Sequence, residues 1–210
     1  MFGYRPPDAE RGTVLESGTN DLAAEILASA FADDPLFVST LPSRVHRLAG
    51  LPLMWRGMAE QCSDTGWVDL AHRDGLAGGA AVWCDGTHPD VGWREVVRYG
   101  MLRFGVAARM RDSLRLMAVQ DRISRVHHEL VDEPHMYLFG LGVRPGMQGG
   151  GVGSELLDRG LARVDAAHLP AYLETNLAIN ARLYARKGFE VVREDHMDGF
   201  QTFYMLRPAR

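Results

Sequence analysis

Apolar positions along this chain change their spacing several times, and each change marks an element. Leu22, Ile26, Leu27, Ala30 and Phe31 recur at helical spacing after Thr19-Asn20-Asp21, whose side chains suit a helix cap, and Pro35 is expected to end that helix. Leu48, Leu51, Met54, Trp55 and Met58 repeat the rhythm over residues 43–61. A strand over 67–70 and a return strand over 76–84 flank Arg73-Asp74-Gly75, which reads as a hairpin turn. A short strand is also expected over 13–16, after an irregular lead-in over 1–10. Residues 91–131 are helical in pattern, but Gly100 and Gly105 divide them into two or three pieces. An apolar run over 135–143 predicts a strand, and Leu156, Leu157, Leu161 and Val164 mark the buried side of a helix over 154–167. A strand over 171–175 follows, then a helix over 178–187 stopped by Gly188. Strands over 189–192 and 201–206, joined near Asp198-Gly199, complete the chain. This alternation predicts one mixed α/β (α+β) domain spanning residues 1–210.

Composition changes that picture little. The 210 residues are 46% apolar, enough for a sizeable core, and no apolar run is long enough to span a bilayer, so no membrane partner is expected. A net charge of -4 argues against nucleic acid as a partner and is compatible with an amine-bearing one. Cys62 and Cys84 form no CxxC pair, and the first residues lack the features of a signal peptide, so a cytoplasmic protein is expected. His127, His128 and His135 show no metal-ligand spacing, and no metal is expected. Oligomeric state is open, and a homodimer is compatible with the chain.

Chemistry concentrates where the 135–143 strand meets Gly149, Gly150, Gly151 and Gly153 ahead of a helix. A backbone free of side chains, leading into unpaired amides and the positive end of a helix dipole, suits a phosphate. Three readings compete. A Walker A loop requires Lys-Ser/Thr, but Ser154-Glu155 follows Gly153. A dinucleotide loop matches Gly149 and Gly151, with Glu174 placed for a ribose, but Ser154 replaces its third glycine. A polar turn also intervenes, and the remaining tail is short for that fold. A plain connecting turn would spend four glycines without a packing gain, at about 1 kcal/mol for each placed in a helix.

Val143-Arg144-Pro145-Gly146-Met147-Gln148-Gly149-Gly150-Gly151-Val152-Gly153 resembles the acetyl-CoA loop of the GCN5-related N-acetyltransferase (GNAT) superfamily. Leu173-Glu174-Thr175 with Asn180, Tyr184, Gly188 and Phe189 is similar to a second block of the same family, at the right separation. Residues 30–35 and 172–175 also resemble the branch that contains puromycin N-acetyltransferase. The resemblance implies a mixed, mostly antiparallel central sheet, splayed between its fourth and fifth strands and flanked by helices. The stretch 91–131 is then a helical insertion before the fourth strand.

By that resemblance acetyl-CoA is the cosubstrate. Its pantetheine arm would pair with Leu141, Gly142 and Val143, and its pyrophosphate would take amides from Gln148, Gly149, Gly150, Gly151, Gly153 and Ser154. Asn180 would touch the pantetheine or order the loop, unless it serves only as a helix-start cap. Relatives often carry a cation where Gly150 stands, so Arg144 is a candidate helper. Tyr184 would protonate the leaving thiolate, and an amide near Val143 would face the oxyanion. Glu174 is the first candidate for general base, against a purely structural carboxylate, with Asp33, Asp34, Glu133 and His135 as weaker ones. Asp33 and Asp34 read more simply as solvated acids. Trp55, Trp93, Tyr99 and Phe104 suggest an apolar wall for the acceptor. The expected activity is acetyl transfer to a primary amine of a small molecule in a ternary complex. A non-catalytic acyl-CoA-binding module and an NAD-dependent oxidoreductase are the competing readings.

Overall fold

The computed structural model describes residues 18–87, 98–197 and 199–210. In chain order these form α1 (Thr19–Ala30), α2 (Pro35–Thr40), α3 (Arg44–Thr65), β1 (Trp67–Arg73), β2 (Leu76–Asp85), α4 (Met101–Ala107) and α5 (Met110–Leu130). They continue with β3 (Met136–Val143), α6 (Val152–Ala166), β4 (Ala171–Thr175), α7 (Ala178–Ala185), β5 (Glu190–Met197) and β6 (Phe200–Arg207). The expected lead-in, the strand over 13–16, and Trp93 lie outside the described residues.

Six strands make one sheet in the order β1-β2-β3-β4-β6-β5. Every neighbouring pair is antiparallel except β3 and β4. Those two run parallel and pair only at Met136↔Ala171 and Tyr137↔Tyr172, then part. The mixed, mostly antiparallel, splayed sheet expected above is therefore present. Its splay falls between the third and fourth described strands.

Both faces of the sheet are covered, which is why β2 is buried along nearly its whole length instead of alternating. On one face, Leu27 of α1 and Trp55 of α3 share a core with Ala80, Val82, Tyr137, Tyr172 and Tyr204. On the other, Leu156, Leu157 and Val164 of α6 pack with Ala81, Trp83, Leu138, Leu173 and Met205. The pairing of β2 with β3 passes from Val82↔Gly140 to Trp83↔Leu138, so Phe139 is an extra residue in a β-bulge. The bulge reverses the facing of everything beyond it. Gly140 and Gly142 then lie beneath α3 and α1, where an added Cβ would come within 2.7 Å of Trp55 and 2.8 Å of Ala30. Leu141 and Val143 turn to the α6 face.

Several boundaries differ from expectation. Pro35 does not end α1, which stops at Ala30; it is the first residue of α2, a position where a missing N–H costs nothing. The Thr19-Asn20-Asp21 side chains do not cap α1, whose cap is Gly18 in a left-handed conformation. The helical stretch before β3 breaks at Ala108–Arg109, where Arg109 has φ +65°. β5 runs to Met197, beyond the expected Val192, because it is an exposed edge strand whose Arg193-Glu194-Asp195-His196 carry no apolar signal. The Asp74-Gly75 turn has positive φ at both residues, 51° and 77°, as a tight hairpin requires.

Gly160 in α6 offers a test of the packing. A Cβ there would press into the Trp83 indole, 2.6 Å from Cε2. Helix propensity favours Gly→Ala by about 1 kcal/mol. Overpacking against a rigid buried ring costs about 1–3 kcal/mol, and it dominates here. Gly160→Ala is expected to lower the urea midpoint with an unchanged m-value.

Candidate active site

The loop between β3 and α6 is built to present amides. Gly146, Gly149 and Gly151 have φ of +86°, +82° and +81°, a region that side chains other than glycine enter at a cost. The Met147 amide bonds to the Arg144 carbonyl at 3.0 Å, and the Glu155 amide to the Gly151 carbonyl at 2.9 Å. Between them, the amides of residues 148–154 close no main-chain hydrogen bond. A Cβ at Gly149 or Gly151 would meet nothing within 4 Å, so the backbone there is uncovered. Gln148 is exposed and its amide reaches the Val143 carbonyl at 3.5 Å; the Ser154 hydroxyl lies 3.5 Å from Asp158. Exposed, oriented N–H groups at a helix start suit a pyrophosphate, so this donor set fits the coenzyme.

Leu141, Gly142 and Val143 pair with Ala81, Ala80 and Gly79 on one side only. β4 has left their other edge. That edge is free main chain beside the opening, as a strand-like pantetheine arm would need.

Tyr184 of α7 is buried with Leu138, Leu173, Ala181 and Phe189, and Leu141 and Val143 pack against the same cluster. Its ring meets Phe189 edge-on with centroids 5.9 Å apart. Burial pushes its phenol above the ordinary value, so it remains a proton donor at neutral pH. Asn180 is not the helix cap; Leu177 is, and the Asn180 amide bonds to the Leu177 carbonyl at 2.9 Å.

Glu174 lies on the opposite face, two residues beyond the last β3–β4 pair. Its Oε2 accepts a hydrogen bond from the Tyr137 hydroxyl at 2.6 Å. Its Oε1 is buried without a partner, as are the hydroxyls of Tyr172 and Tyr204. Burial pushes the Glu174 carboxyl up to about 7, against the Tyr137 bond that pulls it down. A carboxyl with that pKa can take a proton at neutral pH.

The weaker base candidates are committed elsewhere. His135 bonds the Glu133 carbonyl through Nδ1 and His127 through Nε2, each at 2.7 Å. With Nδ1 donating to that carbonyl, its neutral Nε2 accepts from His127. His127 stacks on Tyr172 with centroids 3.9 Å apart, and burial foremost pushes it down to about 3, so it stays neutral. Glu133 is exposed. Asp33 is solvated, as expected, 3.7 Å from Arg47. Asp34 is not. It is buried, caps α2 by accepting from the Leu36 amide at 2.9 Å, and receives the Asn176 amide at 3.2 Å, while Thr202 donates to Asn176 at 3.0 Å. Desolvation raises its pKa, and its bonds to Leu36 and Asn176 tie α2 to the sheet. Arg144 donates to the Ala77 carbonyl at 3.1 Å and lies 3.4 Å from Glu25, so it braces the turn against β2 and α1.

Sequence reasoning missed the phenols around Glu174. Tyr172 and Glu174, two apart on a strand, were legible as sharing a face. Tyr137 and Tyr204 join them only through register, by Tyr137↔Tyr172 and Glu174↔Tyr204.

The Glu174 carboxyl sets a pH dependence. Its pKa is 4.5 in the unfolded reference and about 7 in the fold, so between those values the folded protein binds the extra proton. Its contribution to stability is therefore full below 4.5 and lost as pH rises through 7. Glu174→Gln is expected to gain about 2–3 kcal/mol at pH 8 and nothing at pH 4, in denaturant titrations at both pH values.

The sequence matches the family of GNAT acetyltransferases over residues 60–189. A Corynebacterium glutamicum protein described as histone acetyltransferase HPA2 and related acetyltransferase superposes with TM-score 0.65 at 26% identity, covering 93% of each chain. Arylalkylamine N-acetyltransferase 2 from Aedes aegypti has the same fold, with TM-score 0.65 at 14% identity, over 92% of this chain and 95% of its own. So does a Drosophila melanogaster polyamine N-acetyltransferase, with TM-score 0.52 at 18% identity, over 90% and 94%. The open sheet, the amide-lined loop and the sequence match agree, and the chain belongs to the GNAT acetyltransferase family.

Proposed function

We propose that the protein transfers the acetyl group of acetyl-CoA to a primary amine of a small molecule, by direct attack in a ternary complex. One juxtaposition carries this reading. The amide-lined loop, Tyr184 and Glu174 all lie beside the parting of β3 and β4, with Tyr184 packed near Leu173 on one face of the sheet and Glu174 beside Tyr204 on the other. Two proteins of the same fold are named for amine acceptors, arylalkylamines and polyamines.

Acetyl-CoA supplies the thioester. Residues 148–154 hold its pyrophosphate by main-chain amides, and the free edge of Leu141, Gly142 and Val143 aligns its arm. Asn180, at the start of α7, orders the approach to it. Glu174 accepts a proton from the incoming ammonium, which frees the nitrogen lone pair. The C–N bond forms as the carbonyl π bond opens to a tetrahedral oxyanion; as that collapses and the C–S bond breaks, the Tyr184 O–H supplies the proton that the departing sulfur takes. Two protons leave the nitrogen in all: one balances the thiol and the other passes through Glu174 to solvent. A base on one face and an acid on the other suit this addition and elimination, because the amine and the thiol occupy different positions on the tetrahedral intermediate and need opposite proton transfers.

Thiol release from acetyl-CoA over a panel of amines tests the proposal. Tyr184→Phe is expected to lower kcat about a hundredfold while leaving acetyl-CoA affinity unchanged. In the native protein kcat/KM should rise with pH through about 7, the Glu174 value, and Glu174→Gln should abolish that limb. No thiol release with any amine, despite acetyl-CoA binding, would leave a non-catalytic acyl-CoA module. Thermal stabilisation by NAD(H) but not acetyl-CoA would point to an oxidoreductase.

A further inference from the structure

We propose that Glu174 Oε1 and the hydroxyls of Tyr172 and Tyr204 form a three-oxygen cradle that selects a primary ammonium on an apolar body as the acceptor. The inference rests on the acetyltransferase reading above and names what that site receives.

All three oxygens are buried and none closes a well-formed hydrogen bond among the described residues, although the Tyr172 hydroxyl lies near enough to Glu174 to favour its ionised form. Native folds leave few buried polar atoms unsatisfied, because each costs about 1–3 kcal/mol. Three on neighbouring side chains call for a common ligand. Glu174 and Tyr204 are directly opposed in the β4–β6 ladder, and Tyr172 lies two residues from Glu174 on the same strand face. The fourth oxygen-bearing group nearby, Tyr137, is already committed to Oε2, which fixes the carboxyl and leaves Oε1 available. Glu174 sits past the last β3–β4 pair, on the parted side of the sheet, so the cradle borders the opening.

The chemistry of the set identifies its occupant. A carboxylate and two phenol oxygens can each accept a hydrogen bond, and a primary ammonium carries three N–H donors. Charge-assisted bonds of this kind are the strong ones. A secondary ammonium satisfies two of the three oxygens, and a quaternary one none. Beyond Tyr137 the wall continues through Phe139 at 5.6 Å, Trp55 at 5.9 Å from Phe139, and Phe31 at 4.9 Å from Trp55, all between ring centroids. Trp55 is core, whereas Phe31 and Phe139 are only half-buried against it and suit an apolar or aromatic body behind the nitrogen.

Calorimetric titration of benzylammonium, its N-methyl form and its N,N,N-trimethyl form, each with saturating CoA, tests the cradle. The native protein is expected to bind benzylammonium about tenfold more tightly than the N-methyl form, and the trimethyl form more weakly still. Tyr204→Phe and Tyr172→Phe should each weaken benzylammonium about tenfold and change the trimethyl form less than about twofold. Tyr172→Phe keeps the ring that stacks on His127, and acetyl-CoA thermal shifts verify that both variants fold. Equal affinity for the three probes overturns the cradle, as does equal weakening of benzylammonium and the trimethyl form in the variants; the three oxygens then hold only water. Acetylation of benzylamine is measured in parallel. Transfer without discrimination sinks the cradle and keeps the acetyltransferase; discrimination without transfer to any amine sinks the acetyltransferase reading and keeps a primary-ammonium site.

Discussion

The structure depends on a parallel pairing that lasts only two residues. Met136↔Ala171 and Tyr137↔Tyr172 hold β3 beside β4, and there the contact ends. Two constraints draw β3 away. Its outer partner, β2, continues to pair through Gly79↔Val143, so β3 follows β2. The bulge at Phe139 then reorients the strand, and α1 and α3 bear directly on the bare backbone at Gly140 and Gly142. β4 is held from the other side by five antiparallel pairs with β6. Each strand is loyal to its antiparallel neighbour, and the sheet opens where those loyalties diverge.

An open sheet ordinarily exposes unpaired main-chain groups, which is costly when they are buried. Here the free edge at Leu141, Gly142 and Val143 runs into the loop whose amides at 148–154 are also unpaired. The fold thus concentrates unused hydrogen-bonding capacity along one line. Aligned in this way, the unpaired groups match the needs of a ligand with its own amides and phosphates, which is the use proposed for them above. Salt bridges tie the neighbouring helix to the sheet on either side of the opening. Arg207, buried beside α6, makes two bonds to Asp165 at 2.6 and 2.9 Å, and Arg163 reaches Asp69 on β1 at 2.8 Å. Together they fasten α6 to both sides of the sheet.

Glu174 shows the same trade at the level of one side chain. A buried carboxyl costs stability whenever it is ionised, because burial disfavours the charged form. The Tyr137 hydroxyl offsets part of that cost and fixes the geometry, and the nearby Tyr172 phenol offsets a smaller part. Burial outweighs these bonds and keeps the carboxyl basic near neutral pH. By contrast, Asp34 is buried with its bonds to Leu36 and Asn176 made, and its role is structural. Burial alone does not separate the two acids; the unfilled hydrogen-bonding capacity does.

Local pattern determined much of this protein. Apolar periodicity located α1, α3, α6, the β1–β2 hairpin and β3, because each buries one face against a continuous core. The glycines after β3 marked the loop, since positive φ at Gly149 and Gly151 is a local demand. Asp34 was misjudged, and β5 was cut short, because their burial and pairing come from distant residues. Tertiary structure alone decided where β3 leaves β4, on which faces Glu174 and Tyr184 stand, and that Tyr137 and Tyr204 join Tyr172 beside one carboxylate. Those facts are set by strand register and by a one-residue bulge, and a sequence carries neither until its strands have found their partners.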